Sequence, residues 1–89
     1  MKKESIYARA ADIFDIPADP VGGLLHVEMT GDREIFVENH KGILELNDNT
    51  AVLSADGKTL KIVGDRITVL AMNSGEIRLG GNIHSITLE

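Results

Sequence analysis

From Leu24 to the C-terminus, apolar and polar residues alternate in short runs, and a turn signal separates each run from the next. Leu25, Val27 and Met29 alternate with His26, Glu28 and Thr30. The same period recurs at Ile35 and Val37, Leu44 and Leu46, Ala51 and Leu53, Leu60 and Ile62, Ile67 and Val69, Ile77 and Leu79, and Ile86 and Leu88. A period of two sends successive side chains to opposite faces of an extended strand, so each run has one face to bury. Between the runs stand "TGD", "NHKG", "NDN", "ADGK", "GDR", "NSG" and "GGN". The Asp-Gly pair in "ADGK" is the clearest signal, because both residues accept the positive φ of a tight hairpin. The pattern predicts an all-β fold: an antiparallel sandwich or roll of about seven to eight short strands. "GKTLKIVG" and "SGEIRLGG" resemble each other seventeen residues apart, which leaves a β-solenoid as the alternative.

The segment before Leu24 has a different period. Ile6, Ala10, Ile13 and Phe14 recur at helical spacing, Ser5 is a candidate cap, and Pro17 and Pro20 end the run. Residues 1–23 therefore read as one short amphipathic helix followed by a Pro/Gly linker, and residues 24–89 as the β domain. A two- to three-turn helix is marginal in isolation and needs a surface to lie on.

Composition narrows the function classes. With no cysteine, the chain has no disulfide, thiolate metal site or cysteine nucleophile. A net charge of −5 opposes binding to nucleic acid and to an anionic membrane surface. No run reaches the length of a spanning helix, and the N-terminus lacks the apolar stretch of a signal peptide. The expectation is a soluble cytoplasmic protein without direct membrane insertion.

No motif carries catalysis. His26, His40 and His84 show no metal-ligand spacing, and "DNTAVLSADG" lacks the calcium-loop pattern. Ser54, Ser74 and Ser85 have no nucleophile-elbow setting, and "GGNIHS" lacks the strand-to-helix context of a phosphate loop. The expectation is a non-enzyme with no metal, cofactor or cleft. In "EIFVENHKGILEL" the inward residues change parity between Val37 and Leu44, so the chain must turn or bulge between Glu38 and Ile43. Asn39 and Gly42 fit the ends of a type I turn, which would put His40 and Lys41 at its tip, facing water. Lys58, Lys61 and Arg66 are candidate charges blocking a strand edge.

Phe36, Ile43, Val52, Val63, Leu70 and Met72 occupy the phase opposite to the inward set. Together they form a candidate interaction surface. The N-terminal helix could cover it, or a partner chain or second copy could, or bulges could carry several of these residues into the core.

The stretch "VENHKGI" at Val37 to Ile43, the "G-x-x-L-x-I-x-G" pattern at Gly57 to Gly64 and "G-x-I-x-S-I" at Gly81 to Ile86 resemble the YabP/YqfC family of bacterial sporulation proteins, and more closely its YqfC branch. Asn39, His40, Gly42, Gly64 and Gly81 are the residues that carry this resemblance. It implies a β-sandwich-like fold and a non-enzymatic interaction or scaffolding role in endospore coat or cortex development. It places the protein in the mother-cell cytoplasm, with the forespore surface as a candidate site. Other sporulation proteins, a membrane-embedded one among them, are the partners it implies, while the candidate interaction surface adds a homo-oligomer as a further expectation. A small-ligand or carbohydrate-binding module is the alternative function, although Tyr7, Phe14 and Phe36 are too scattered for the usual aromatic lining.

Overall fold

The computed structural model describes residues 23–89, and the helix expected before Leu24 lies outside them. The described chain forms β1 (His26–Thr30), β2 (Glu34–Glu38), β3 (Gly42–Leu46), β4 (Thr50–Ala55), β5 (Lys58–Met72) and β6 (Glu76–Leu88). All six pair antiparallel in one sheet, in the order β1-β2-β6-β5-β4-β3. The count is six and not seven or eight because two expected turns are bends inside long strands. "GDR" lies within the 15 residues of β5 and "GGN" within the 13 of β6. There is also one sheet in place of the two of a sandwich.

The sheet is organised around the β5–β6 hairpin. The second half of β5 and the first half of β6 pair with each other, and β2 and β1 extend that half on the β6 side. The first half of β5 and the second half of β6 pair likewise, and β4 and β3 extend that half on the β5 side. The halves are related by an approximate two-fold. Ile35↔Leu79 and Val37↔Ile77 in one correspond to Ala51↔Ile62 and Leu53↔Leu60 in the other. The Asp65↔Asn82 pair lies on the axis. The likeness of "GKTLKIVG" to "SGEIRLGG" therefore records this symmetry and not a solenoid.

The inward residues of both halves meet in one core. Ile35, Val37, Ala51, Leu53, Leu60, Ile62, Ile67, Ile77, Leu79 and Ile83 form a single buried cluster. One sheet can do this only by bending across its own strands. Register shifts between Val63 and Gly64, Asp65 and Thr68, and Val69 and Ala71 mark the bend, where extra residues break the ladder and increase local twist. The hairpin loops fasten it. Gly81 N–H donates to Arg33 O (3.1 Å) and Ile83 N–H to Asp32 O (2.7 Å). Opposite them, Gly64 N–H donates to Asn49 O (2.9 Å) and Ile67 N–H to Asp48 O (2.8 Å).

Two glycines make the crossing possible. A Cβ on Gly64 would sit 2.3 Å from the Asn82 carbonyl oxygen. One on Gly81, at φ 142°, would sit 2.8 Å from Arg66 O and 3.0 Å from Asp65 O. Both obstacles are backbone, which cannot swing aside. Elsewhere the turn chemistry matches the sequence signals. Asp56 (φ 49°) and Gly57 (φ 82°) form the β4–β5 turn. Asn47 Oδ1 accepts from Asn49 N (2.8 Å) and Thr50 N (2.9 Å), and Asn73 Oδ1 accepts from Gly75 N and Glu76 N.

Gly64→Ala is expected to destabilise the fold by about 3 kcal/mol or more, as overpacking against immovable atoms does. Gly75→Ala, where a Cβ meets nothing within 4 Å, should stay within about 0.5 kcal/mol of the parent. Urea denaturation of the two variants checks this; equal stability would contradict the bend as described.

Candidate interaction surface

The residues singled out from sequence do not converge on one spot. Phe36 and Val52 lie on the outer faces of opposite halves, paired with Arg78 and Lys61 respectively, and Val63 pairs with Thr50 and Ser85. All three are half-buried. Ile43 opposes the core residue Leu53, and Met72 opposes Ile77, so both share the inward parity yet lie exposed at the sheet margin. Leu70 is the extra residue of the β5 bulge and packs over the bare face of Gly80, where a Cβ would be 3.0 Å from Leu70 Cδ1. Arg78 stacks over the Phe36 ring at 4.7 Å and reaches Glu34 at 3.3 Å. Beside it a shallow groove of about 300 Å³ is lined by Phe36, Ala71, Met72, Ile77 and Arg78.

A different distribution emerges from exposure. The large apolar side chains left open to solvent within strands are Met29, Ile43, Leu44, Leu46, Val69, Leu70, Met72 and Leu88. Met29 belongs to β1 and the next three to β3. Val69, Leu70 and Met72 belong to the second half of β5, and Leu88 to the end of β6. These are the four margins of the bent sheet. The alternating pattern thus runs beyond the core, onto edges that have no further strand beside them among the described residues. Exposed apolar edge strands are templates for association. Of the charges expected to block an edge, Lys61 lies between β4 and β6, opposite Val52 and Thr87, Lys58 starts β5 at the β4–β5 turn, and Arg66 sits at the bend.

The "NHKG" segment also differs from expectation. It is no hairpin, since β2 pairs with β1 and β6 while β3 pairs with β4. It crosses from one half of the sheet to the other. Asn39 N–H (2.7 Å) and His40 N–H (3.3 Å) donate to Gly75 O at the β5–β6 tip, and Lys41 N–H donates to Ser54 O (2.7 Å) on β4. Asn39 takes φ 68°, a conformation Asn tolerates, and its Nδ2 donates to Leu24 O at 2.8 Å. His40 is buried at 6% exposure and does not face water. Its Nδ1 accepts from Gly42 N–H at 3.1 Å, which leaves the proton of the neutral ring on Nε2. That Nε2 has no hydrogen-bond partner among the described residues. Sequence reasoning misses the burial because Asn-His-Lys-Gly is polar, and local composition does not reveal a crossover.

The remaining histidines are held separately. His26 Nε2 lies 3.0 Å from Glu28 and His84 Nε2 lies 3.4 Å from Asp65. No group of three potential ligands with metal-binding geometry occurs among the described residues. At the bend, an open polar hollow of about 810 Å³ is lined by Arg33, Asp48, Asn49, Asp65, Arg66, Gly81 and Asn82. No local sequence signal marks this cleft, because hairpin loops distant in sequence meet around the two-fold to form it. Arg66 adopts φ 56° there, within the extra residues of the β5 bulge.

The YabP family model matches residues 24–89. The protein named "Uncharacterized protein YqfC" from Bacillus subtilis (strain 168) is 29% identical over 82 residues, spanning 92% of this chain and 88% of that protein. No solved structure matches the chain.

His40→Ala is expected to cost about 2–4 kcal/mol, through lost burial and an unsatisfied Gly42 N–H. Lys41→Ala, at an exposed position, should change stability by no more than about 0.5 kcal/mol. Chemical denaturation distinguishes this buried corner from the water-facing turn expected from sequence, in which both substitutions would be mild.

Proposed function

The chain belongs to the YabP family, and from that premise we propose that it acts as a non-enzymatic interaction or scaffolding module in endospore development. The observation that carries this reading is the placement of exposed apolar side chains on the four margins of the sheet. A strand edge offers a row of backbone donors and acceptors, and neighbouring apolar side chains add affinity once another strand or helix covers them. Such a surface serves assembly and supplies no reacting group. The family resemblance supports the sporulation setting, with action in the mother cell during coat or cortex formation. Partners are then other sporulation proteins, including one embedded in the forespore membrane.

A small-ligand or carbohydrate-binding role takes its support from the polar hollow at the bend. Its two arginines, two aspartates and two asparagines offer donors and acceptors for a polyhydroxylated ligand, but among the described residues its lining contains no aromatic ring on which a sugar could stack. Thermal stabilisation by a sugar panel, lost on Arg66→Ala, would favour this role over assembly.

In sporulating cells, a fluorescent fusion is expected to gather at the forespore surface from the mother-cell side. Cross-linked capture should recover spore-envelope proteins, and charged substitutions at Leu44 and Leu70 should abolish recovery without unfolding the domain. Uniform fluorescence, together with capture indifferent to those substitutions, would overturn the proposal.

A further inference from the structure

The four margins of the sheet are not equally protected. β1 carries the Glu28 carboxylate, paired with His26 at 3.0 Å. β3 is bulged between Ile43 and Glu45, and the second half of β5 between Val69 and Ala71. Charges and bulges are devices that keep an edge from pairing with another chain. Along Ser85–Leu88 the end of β6 has neither, the next carboxylate being that of Glu89 just beyond. From Ser85 to Leu88 the ladder with β5 is regular, and the segment "SITL" contains no charge and no proline.

The phase of that edge is fixed. Thr59 and Glu89 exchange both backbone hydrogen bonds, each at 2.9 Å. Reciprocally bonded pairs alternate along an antiparallel ladder, so Ser85 and Thr87 turn their backbone groups toward β5 while Ile86 and Leu88 turn theirs outward. On the side-chain faces, Ile86 packs on the core and Leu88, opposite Leu60, is 53% exposed. Ser85 and Thr87 face the other way and are open to solvent.

We propose that the Ser85–Leu88 edge pairs antiparallel with the same segment of a second copy, forming a two-fold dimer with Thr87 opposite Thr87 on the axis. In this register Ile86 of each copy opposes Leu88 of the other, and their outward backbone groups meet as reciprocal hydrogen-bonded pairs. Apolar side chains then adjoin apolar ones on the core side. On the outer face Thr87 meets Thr87 and Ser85 meets Glu89. No like charges are opposed across the ladder, although each chain carries a net charge of −5. Shifting the register by one residue would set outward backbone groups against inward ones and mix the two faces. The same surface on both copies closes the assembly at two. The dimer deepens the interaction-module reading by making a second copy one of the partners, and it rests on that reading only for its purpose in the cell.

The purified full chain, followed by light scattering over a concentration series, is expected to shift from monomer to dimer. Because the chain contains no cysteine, Thr87→Cys introduces a single thiol. It would face its twin across a non-hydrogen-bonded pair, the spacing at which cross-strand disulfides form. Mild oxidation should therefore link Thr87→Cys into dimers quickly and Ser85→Cys several-fold more slowly. Leu88→Pro removes an outward N–H and leaves the bonds to β5 in place, so it should abolish the dimer with an unchanged circular dichroism spectrum. A strict monomer, a dimer that survives Leu88→Pro, or equal linking at the two cysteine positions would overturn the proposal. None of these outcomes bears on where the fluorescent fusion gathers in the cell or what it captures there.

Discussion

The contact of backbone with backbone at Gly64 and Gly81 is the constraint on which the rest of the structure depends. Where β5 and β6 cross, carbonyl oxygens occupy the space that side chains would need. That approach lets two long strands bend together, and the bend lets one sheet close over a single core. Without it, β2 and β4 would present Ile35, Val37, Ala51 and Leu53 on a flat surface with nothing opposite. A small chain with few aromatic residues has no large side chains with which to fill such a gap. Its core is instead assembled from Ile, Leu, Val and Ala drawn from both halves. Each fully buried large aliphatic contributes about 2 kcal/mol.

The same bend sets where the margins of the sheet fall. Since β5 and β6 each pass from an interior position in one half to a margin in the other, they supply two of the four edges. The apolar pattern that builds the core in the middle of the sheet continues onto those margins, where Val69, Met72 and Leu88 lie exposed. On the proposed reading, folding and association draw on one periodicity. By the same proposed reading, bulges at Leu44 and Leu70 and the carboxylate of Glu28 limit which edges can pair, so apolar exposure alone does not identify the docking strand.

Much of the fold is legible from period and turn chemistry. Ile35, Val37, Leu53, Leu60, Ile62, Ile77 and Leu79 are buried as their alternation implies, and Asp56-Gly57 makes the expected turn. What escapes is non-local. "GDR" and "GGN" carry the residues of turns, yet the chain continues through both as strand, because the loops at Asp32–Arg33 and Asp48–Asn49 capture the freed backbone groups. The positive φ of Arg66 has no sequence signature. The polarity of its neighbours points His40 to solvent, while a crossover between half-sheets buries it. Parity alone selects the candidate surface residues. Bulges at Leu44 and Leu70 alter that parity within a strand, and position at the margin, more than phase, determines which apolar side chains remain exposed.

Amide hydrogen exchange followed residue by residue tests the central claim most directly. The four N–H groups that fasten the bend, on Gly64, Ile67, Gly81 and Ile83, should exchange only through global unfolding and rank with the core strands in protection. If those four exchanged rapidly while the amides of β2 and β4 stayed protected, the two halves would be independent units joined by a loose hinge, and the single folded-over sheet would be the wrong description.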